Sequence, residues 1–392
     1  MINFEHYTPT KIFFGKDTHK DVGKIIKSYG FKKILLHYGK NSIKKSGLYD
    51  EITSSLKENN IEFIELSGVK ANPELSLVKE GVSLIKKEPV DLILAVGGGS
   101  VIDSAKAIGV GALVDFDPFK FNKKEETPKK TIPVGTVLTI AAAGSEMSNS
   151  CVITDTDNQL KRGFNSDLIR PLFSILNSEL TYTLPPFQTA CGIVDIMMHT
   201  LERYFCKNKD VDLTDRISEG LLKSVIKAGK TAIENPNDYE ARATLMWASS
   251  LSHNNLTGAS RDYFFTCHQL AHEINGIYDD MAHGETLAIV FPAWAKYMLT
   301  YETDKFCQFA VRVMDCDYDF ENPKKTAFEG IEKIEKYFEE IGMPTRFSQR
   351  PQVDLDKLSE MAKKCTNYGK RTLPSYIDLG EKEIREIYEM MK

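Results

Sequence analysis

The sequence predicts an α/β domain, a parallel sheet flanked by helices, followed by an all-α domain. Three observations carry that prediction. From Lys32 onward short β-branched runs alternate with longer amphipathic segments, and the strands among them are apolar nearly throughout, as in parallel sheets covered on both faces. After Thr183-Leu184-Pro185-Pro186 the strand pattern stops and only helical periodicity follows. At 392 residues the chain exceeds the usual span of one domain, so a division into 1–184 and 185–392 is expected.

In order, KKILLH (32–37) reads as a strand, GLYDEITSSLKENN (47–60) as a helix, and IEFIEL (61–66) as a second strand. ELSLVKEGVSLIKK (74–87) is helical and DLILAV (91–96) is a third, more continuously apolar strand. TIPVGTVLTIAAAGSEMSNSCVIT (131–154) has strand character broken by small residues, with Ser145-Glu146 as a turn or helix start, and LFSILN is strand-like. Pro185 and Pro186 end a strand and suit the first turn of a helix. Beyond them 186–205, 211–232, 238–256, 261–276 and 284–300 read as helices, and FEGIEKIEKYFEEIG continues the helical remainder. Such an arrangement leaves a cleft between domains, a favoured place for a ligand.

The net charge of −5 and the scattered lysines argue against nucleic acid as a partner. Seven widely spaced cysteines without a Cys-x-x-Cys pair point to a reducing compartment and not to a disulfide framework. With no signal-like start and no apolar run long enough to span a bilayer, a cytoplasmic protein with no membrane partner is expected.

Chemistry concentrates in CHQLAHEINGIYDDMAHG (267–284), which holds three of the eight histidines. His268 and His272 lie one helical turn apart on one face, and His283 follows the turn signals Asn275-Gly276 and Asp279-Asp280. Asp195 and His199 repeat the i, i+4 spacing in an otherwise apolar segment, where a buried carboxylate is costly unless paired or bound to a cation. Any one of these residues alone is more simply a core or capping group; the two pairs together favour a divalent metal. One carboxylate oxygen and up to three imidazoles, without thiolate, suit Zn²⁺ or Fe²⁺.

The glycine run Gly97-Gly98-Gly99-Ser100 follows the third strand and opens a helix, where bare backbone N–H groups and the helix N-terminus favour a phosphate. A tight strand-to-helix turn would use the same residues. Ile102 stands where G-x-G-x-x-G needs its third glycine, and no P-loop ending follows. Tyr38-Gly39-Lys40-Asn41-Ser42, followed by Lys44 and Lys45, is either a solvated helix start or a cradle for a further phosphate.

Together PTKIFFG, YGKNSIKKSG, AVGGGSVIDSAK, LTIAAAGSEMSN, TLPPFQTACGIVDIMMHTLERYF and CHQLAHEI through AHGETLAIVFPAW resemble the iron-dependent (group III) alcohol dehydrogenases, in their butanol dehydrogenase and aldehyde reductase branch. The resemblance covers nearly the whole chain and implies the dehydroquinate synthase-like fold, a dinucleotide-binding first domain and a metal-binding second domain. It implies Asp195, His199, His268 and His283 as ligands of one Fe²⁺ or Zn²⁺, and His272 as the non-ligand histidine between metal and nicotinamide, which either relays a proton as the catalytic residue or only shapes the pocket and hydrogen-bonds the cofactor. It implies cofactor contacts at Gly39, Ser42, Asn72, Gly98, Gly99, Ser100, Thr139 and Lys161. A homodimer acting on a small aldehyde or alcohol is also implied. Ala143, Cys191 and Gly39-Lys40-Asn41-Ser42 depart from the usual family residues and touch no metal ligand. The aspartate that NAD-preferring relatives carry near Gly39 is missing, and no acid stands between His37 and Asp50, so NADP is expected over NAD.

The expected reaction is hydride transfer between NAD(P)H and a small aldehyde such as butanal, giving a primary alcohol. A glycerol dehydrogenase-like polyol oxidoreductase is the alternative within the fold. A metallohydrolase fits less well, because His268-Gln269-Leu270-Ala271-His272 lacks the H-E-x-x-H glutamate and hydrolysis has no use for the glycine loop.

Overall fold

The computed structural model describes every residue except Asp279. That residue is half of the expected Asp279-Asp280 turn signal, which to that extent lies outside the described residues.

The chain forms two compact units, one of Tyr7–Leu184 with Pro236–Asn254, the other of Met1–His6, Pro185–Asn235 and Asn255–Lys392. The first holds β1 (Lys11–Phe14), α1 (Val22–Ser28), β2 (Lys33–Tyr38), α2 (Ser42–Lys45), α3 (Leu48–Glu58), β3 (Glu62–Leu66) and α4 (Leu75–Lys87). It continues through β4 (Leu92–Gly97), α5 (Gly99–Gly111), α6 (Phe119–Asn122), β5 (Val134–Leu138), β6 (Ser150–Asp155), β7 (Leu160–Asn165) and β8 (Phe173–Leu176). Thereafter come α7 (Pro186–Tyr204), α8 (Asp212–Glu234), α9 (Tyr239–His253), α10 (Thr266–Ile277) and α11 (His283–Met298). The last four helices are α12 (Thr303–Arg312), α13 (Pro323–Glu340), α14 (Leu358–Cys365) and α15 (Glu381–Glu389).

Six strands form a parallel sheet in the order β1-β8-β5-β4-β2-β3. Alternate side chains divide between its faces, both of them covered at the central strands β4, β5 and β8, which is why those read as apolar nearly throughout. Leu35, Ile93 and Ala95 pack with Val78 and Val82 of α4 and with Ile102 and Ala105 of α5. Ile34, Leu36, Leu92 and Leu94 pack with Ile26 of α1 and with Ile52 and Leu56 of α3. The short edge strand β1 precedes the first strand expected from periodicity, and β6 with β7 forms a separate antiparallel ladder.

Relative to a cut after Leu184, α9 belongs with the sheet. Ser249 Oγ accepts from the backbone N–H groups of Ala142 (3.1 Å) and Gly144 (3.2 Å), and Ser250 Oγ donates to Glu146 (2.6 Å). Helical periodicity carries no trace of those side-chain bonds. Asn275-Gly276 does not end α10, which runs on to Ile277. All seven cysteines are free thiols. Among the described residues no helix is long and apolar enough to cross a membrane.

Candidate metal centre and nucleotide loops

Pro186 supplies the preset φ of a first helical turn, and α7 then runs for 19 residues with its second half buried on all sides. Asp195 and His199, one turn apart, share a face of that helix. His268 comes from the start of α10. Asp195 Oδ1 lies 3.5 Å from His199 Nδ1 and 3.6 Å from His268 Nε2, and one ligand atom of each residue lies within 4.8 Å of the others. Both separations are too long for hydrogen bonds. They match the edge of a ligand polyhedron, since donors about 2.0–2.2 Å from a tetrahedral ion lie roughly 3.3–3.6 Å apart. The spacing and the carboxylate-plus-imidazole donor set therefore fit a divalent ion.

His283, at the first turn of α11, stands just outside that trio with its ring 5.2 Å from the ring of His268. His272 lies one turn along α10, its ring 5.4 Å from that of His283 and 6.4 Å from that of His268. The structure thus gathers all five residues singled out in the sequence. Phe265 walls the cluster edge-on, with ring centroids 6.1 Å from His199 and 5.1 Å from His268.

Further groups support the histidines from behind. Glu202, three residues after His199, accepts from His268 Nδ1 and from the backbone N–H groups of Cys267 (2.5 Å) and His268 (3.3 Å). Asn275 Oδ1 accepts from His283 Nδ1 and from Thr286 Oγ1, each at 3.2 Å, while its amide donates to Met281 O at 3.0 Å. Arg203 Nη1 donates to the carbonyl of His199 at 2.7 Å. Burial alone would push His268 down, but the nearby carboxylates of Glu202 and Asp195 outweigh it and raise the imidazole to about 9.

In the sheet unit, β2 connects outward to β3 and the chain then returns to lay β4 on the other side of β2. This is the switch point of an open α/β sheet, where ligands bind beyond the carboxyl ends of the strands. The loops after β2 and β4 straddle it. They are Gly39 to Ser42 and Gly97 to Ser100. A Cβ on Gly98 would lie 2.2 Å from Ile140 Cγ2, and one on Gly99 2.9 Å from Ala143 Cβ, so both positions need a bare backbone. Gly98 is the N-cap of α5, whose first N–H groups and dipole face that loop.

The predicted cofactor residues are linked around this point. Thr139 N–H donates to Gly97 O (3.1 Å), Ser100 Oγ donates to Ala71 O, and Lys161 Nζ donates to Asn72 Oδ1 (3.0 Å). Gly68 N–H donates to Gly39 O (2.9 Å), tying the loop after β3 to the loop after β2. Lys40 and Ser42 are exposed. The exposed Lys44 holds its ammonium over the rings of Tyr38 (5.5 Å) and Tyr49 (4.8 Å). Glu65 accepts from both phenols, at 2.7 Å each.

Behind the glycine loop is a second buried ionic group. Lys106 Nζ donates to Ser145 O (2.7 Å), Ser148 O (3.1 Å) and Ser150 O (3.0 Å) and to the hydroxyls of Ser145 (2.9 Å) and Ser148 (3.2 Å). Asp103 accepts from Ser145 Oγ (2.5 Å) and Val152 N–H (2.9 Å). Burial lowers the Lys106 ammonium to about 8 and raises the carboxyls of Asp103 and Glu146.

Sequence reasoning missed Glu202, Asn275 and the Asp103–Lys106 pair. Asp195, His199 and Glu202 stand at i, i+4 and i+7, a single helical stripe, and His268 with Asn275 repeats the seven-residue step. That periodicity was the available signal for the first two. Lys106 left none, because its partners are mainly backbone oxygens some forty residues away.

Two family models match the chain, iron-containing alcohol dehydrogenase over residues 9–178 and the C-terminal region of the Fe-containing alcohol dehydrogenase family over residues 189–391. NADH-dependent butanol dehydrogenase A of Clostridium acetobutylicum is 40% identical over 390 residues, 99% of each chain. NADPH-dependent aldehyde reductase YqhD of Escherichia coli is 34% identical over 392 residues, again 99% of each. The crystal structure of NADH-dependent butanol dehydrogenase A from Thermotoga maritima superposes with a TM-score of 0.95 at 36% identity, covering 99% of this chain and 98% of that one.

Proposed function

This chain belongs to the iron-containing alcohol dehydrogenase family, and from that premise we propose that it reduces small aldehydes such as butanal to primary alcohols, with NADPH as the preferred reductant. Asp195, His199, His268 and His283 would hold one Fe²⁺ or Zn²⁺. The observation that carries this reading is the buried trio of Asp195, His199 and His268 at 3.5 and 3.6 Å.

When bound, the metal supplies Lewis acidity toward a carbonyl oxygen and the nicotinamide supplies hydride. The protein's own residues do the remaining work. Asp195 offsets cationic charge in a buried setting, and the Phe265 ring keeps water from one side of the imidazoles. His272 is half-buried beside His268 and His283 and would pass a proton to the product oxygen, since imidazole titrates near neutral pH. The bare backbone at Gly98 and Gly99, the N-terminus of α5 and the Lys161–Asn72 pair support binding of the dinucleotide.

NADPH is favoured by the loop after β2. It offers Lys40 and Ser42 to solvent and contains no carboxylate. The nearby Glu65 is already engaged by two tyrosine hydroxyls. Names of relatives divide, NADH at 40% identity and NADPH at 34%, and the loop chemistry is what supports NADPH for this chain. A homodimer belongs to the same reading, and light scattering would give twice the chain mass. The decisive assay is a panel of butanal, other aldehydes and glycerol against NADPH and NADH, with Fe²⁺ or Zn²⁺ supplied. Aldehyde reduction that requires metal is the expected result; turnover of glycerol alone, or none with either metal, overturns the proposal.

A further inference from the structure

We infer that Glu202 and Asn275 are positioning residues that set the metal-facing nitrogens of His268 and His283, and that Glu202 holds its histidine the more firmly. The inference rests on the metal reading above and extends it to residues outside the ligand set.

A carboxylate only accepts, so the bond to Glu202 requires the proton on His268 Nδ1 and leaves Nε2 as the nitrogen at which a metal would replace a proton. Nε2 is the atom that lies 3.6 Å from Asp195 Oδ1. Glu202 is 1% exposed and also takes the backbone N–H groups of Cys267 and His268 at the first turn of α10. One buried carboxylate therefore fixes both the helix start that carries His268 and the rotation of its ring. Asn275 does the same for His283 by weaker means. Its amide donates to Met281 O, which turns Oδ1 toward His283 Nδ1 and assigns Nε2 to the metal. That oxygen is neutral and is shared with Thr286. Charge-assisted bonds are roughly twice as strong as neutral ones, so His268 is the anchored ligand and His283 the one that yields first.

Replacing Glu202 with Gln keeps size and polarity but reverses one bond. An amide N–H facing Nδ1 makes that nitrogen the acceptor and moves the ring proton to Nε2, where the metal needs a lone pair. Glu202→Asp keeps the charge and should recover part of the loss.

The test is calorimetric titration of Zn²⁺ into chelator-stripped full-length protein, comparing wild type, H268A, E202Q, E202D and N275A. Thermal midpoints without metal and circular dichroism report on folding. Wild type should take one Zn²⁺ per chain and H268A should lose that site. E202Q should bind about 10- to 100-fold more weakly, E202D should fall between E202Q and wild type, and N275A should lose less than E202Q. If E202Q does not fold, E202D against wild type carries the test, with weaker binding expected. E202Q or E202D binding as wild type does, or N275A losing more than a folded E202Q, would overturn the inference while leaving the metal site standing. A wild type that binds no Zn²⁺ would remove the metal reading and this inference with it.

Discussion

Two clusters of buried charge, one in each unit, differ in how their polar atoms are engaged. Lys106 sits among five oxygens at hydrogen-bonding distance, and Asp103 takes a hydroxyl and a backbone N–H. Asp195 instead holds imidazole nitrogens at 3.5 and 3.6 Å, beyond hydrogen bonding and at the spacing of metal ligands. The first arrangement serves the fold, clamping residues 145–152 behind the glycine loop. The second has the spacing and donor set that a divalent ion would take. Burial alone does not separate the two; the distances do.

If the contrast is right, truncating each cluster should produce a different failure. Asp195→Ala should bring activity to background and remove the metal while the protein stays folded, as checked by elemental analysis and circular dichroism. Full metal occupancy in that variant would erase the contrast. His272→Ala sharpens it from within the cluster around Asp195. Turnover should fall by roughly 10²- to 10⁴-fold, the usual loss for a general acid–base group, with metal content unchanged. A collapse of metal content would make His272 a ligand.

Lys106→Met tests the other cluster. Removing one partner from a buried charge network costs about 3–5 kcal/mol, so chemical denaturation should show a loss of that order while metal content is retained. Unchanged stability together with lost metal would reverse the roles given to the two clusters.

The clusters also differ in how legible they were from the sequence. Asp195 with His199 and His268 with His272 stand at i, i+4 on helices, where spacing alone puts side chains on one face. The apolar run around Asp195 marked it as buried. Glu202 and Asn275 stood on the same stripes, but Glu202 was not singled out and Asn275 read as a turn signal. In the sheet unit the glycine run was readable because a missing Cβ is itself a sequence feature. Glu65 was not, because it reaches the phenols of Tyr38 and Tyr49 from the neighbouring strand β3, and strand order is not written in periodicity. The docking of α9 beneath residues 142–146 was hidden for the same reason, since serine hydroxyls on a helix give no sign of their partners.

The smallest expected effect concerns the loop after β2. A Cβ at Gly39 would meet nothing closer than Val69 O at 3.7 Å, so the backbone there leaves room to begin the side chain of Gly39→Asp. It should weaken NADPH far more than NADH, by about one to two decades in affinity, the range of a charge-assisted bond of about 1.5 to 3 kcal/mol. Michaelis constants for the two cofactors in wild type and variant would measure it. Equal constants in both proteins would remove this loop from cofactor choice.

The central claim is that the buried carboxylate and imidazoles form the metal centre, and X-ray absorption at the edge of the bound metal tests it most directly. One ion per chain is predicted, with nitrogen and oxygen neighbours at about 2.0–2.2 Å, outer-shell scattering from three imidazoles, and loss of the signal in Asp195→Ala. A sulfur neighbour near ~2.3 Å, or an unchanged spectrum in Asp195→Ala, would contradict it.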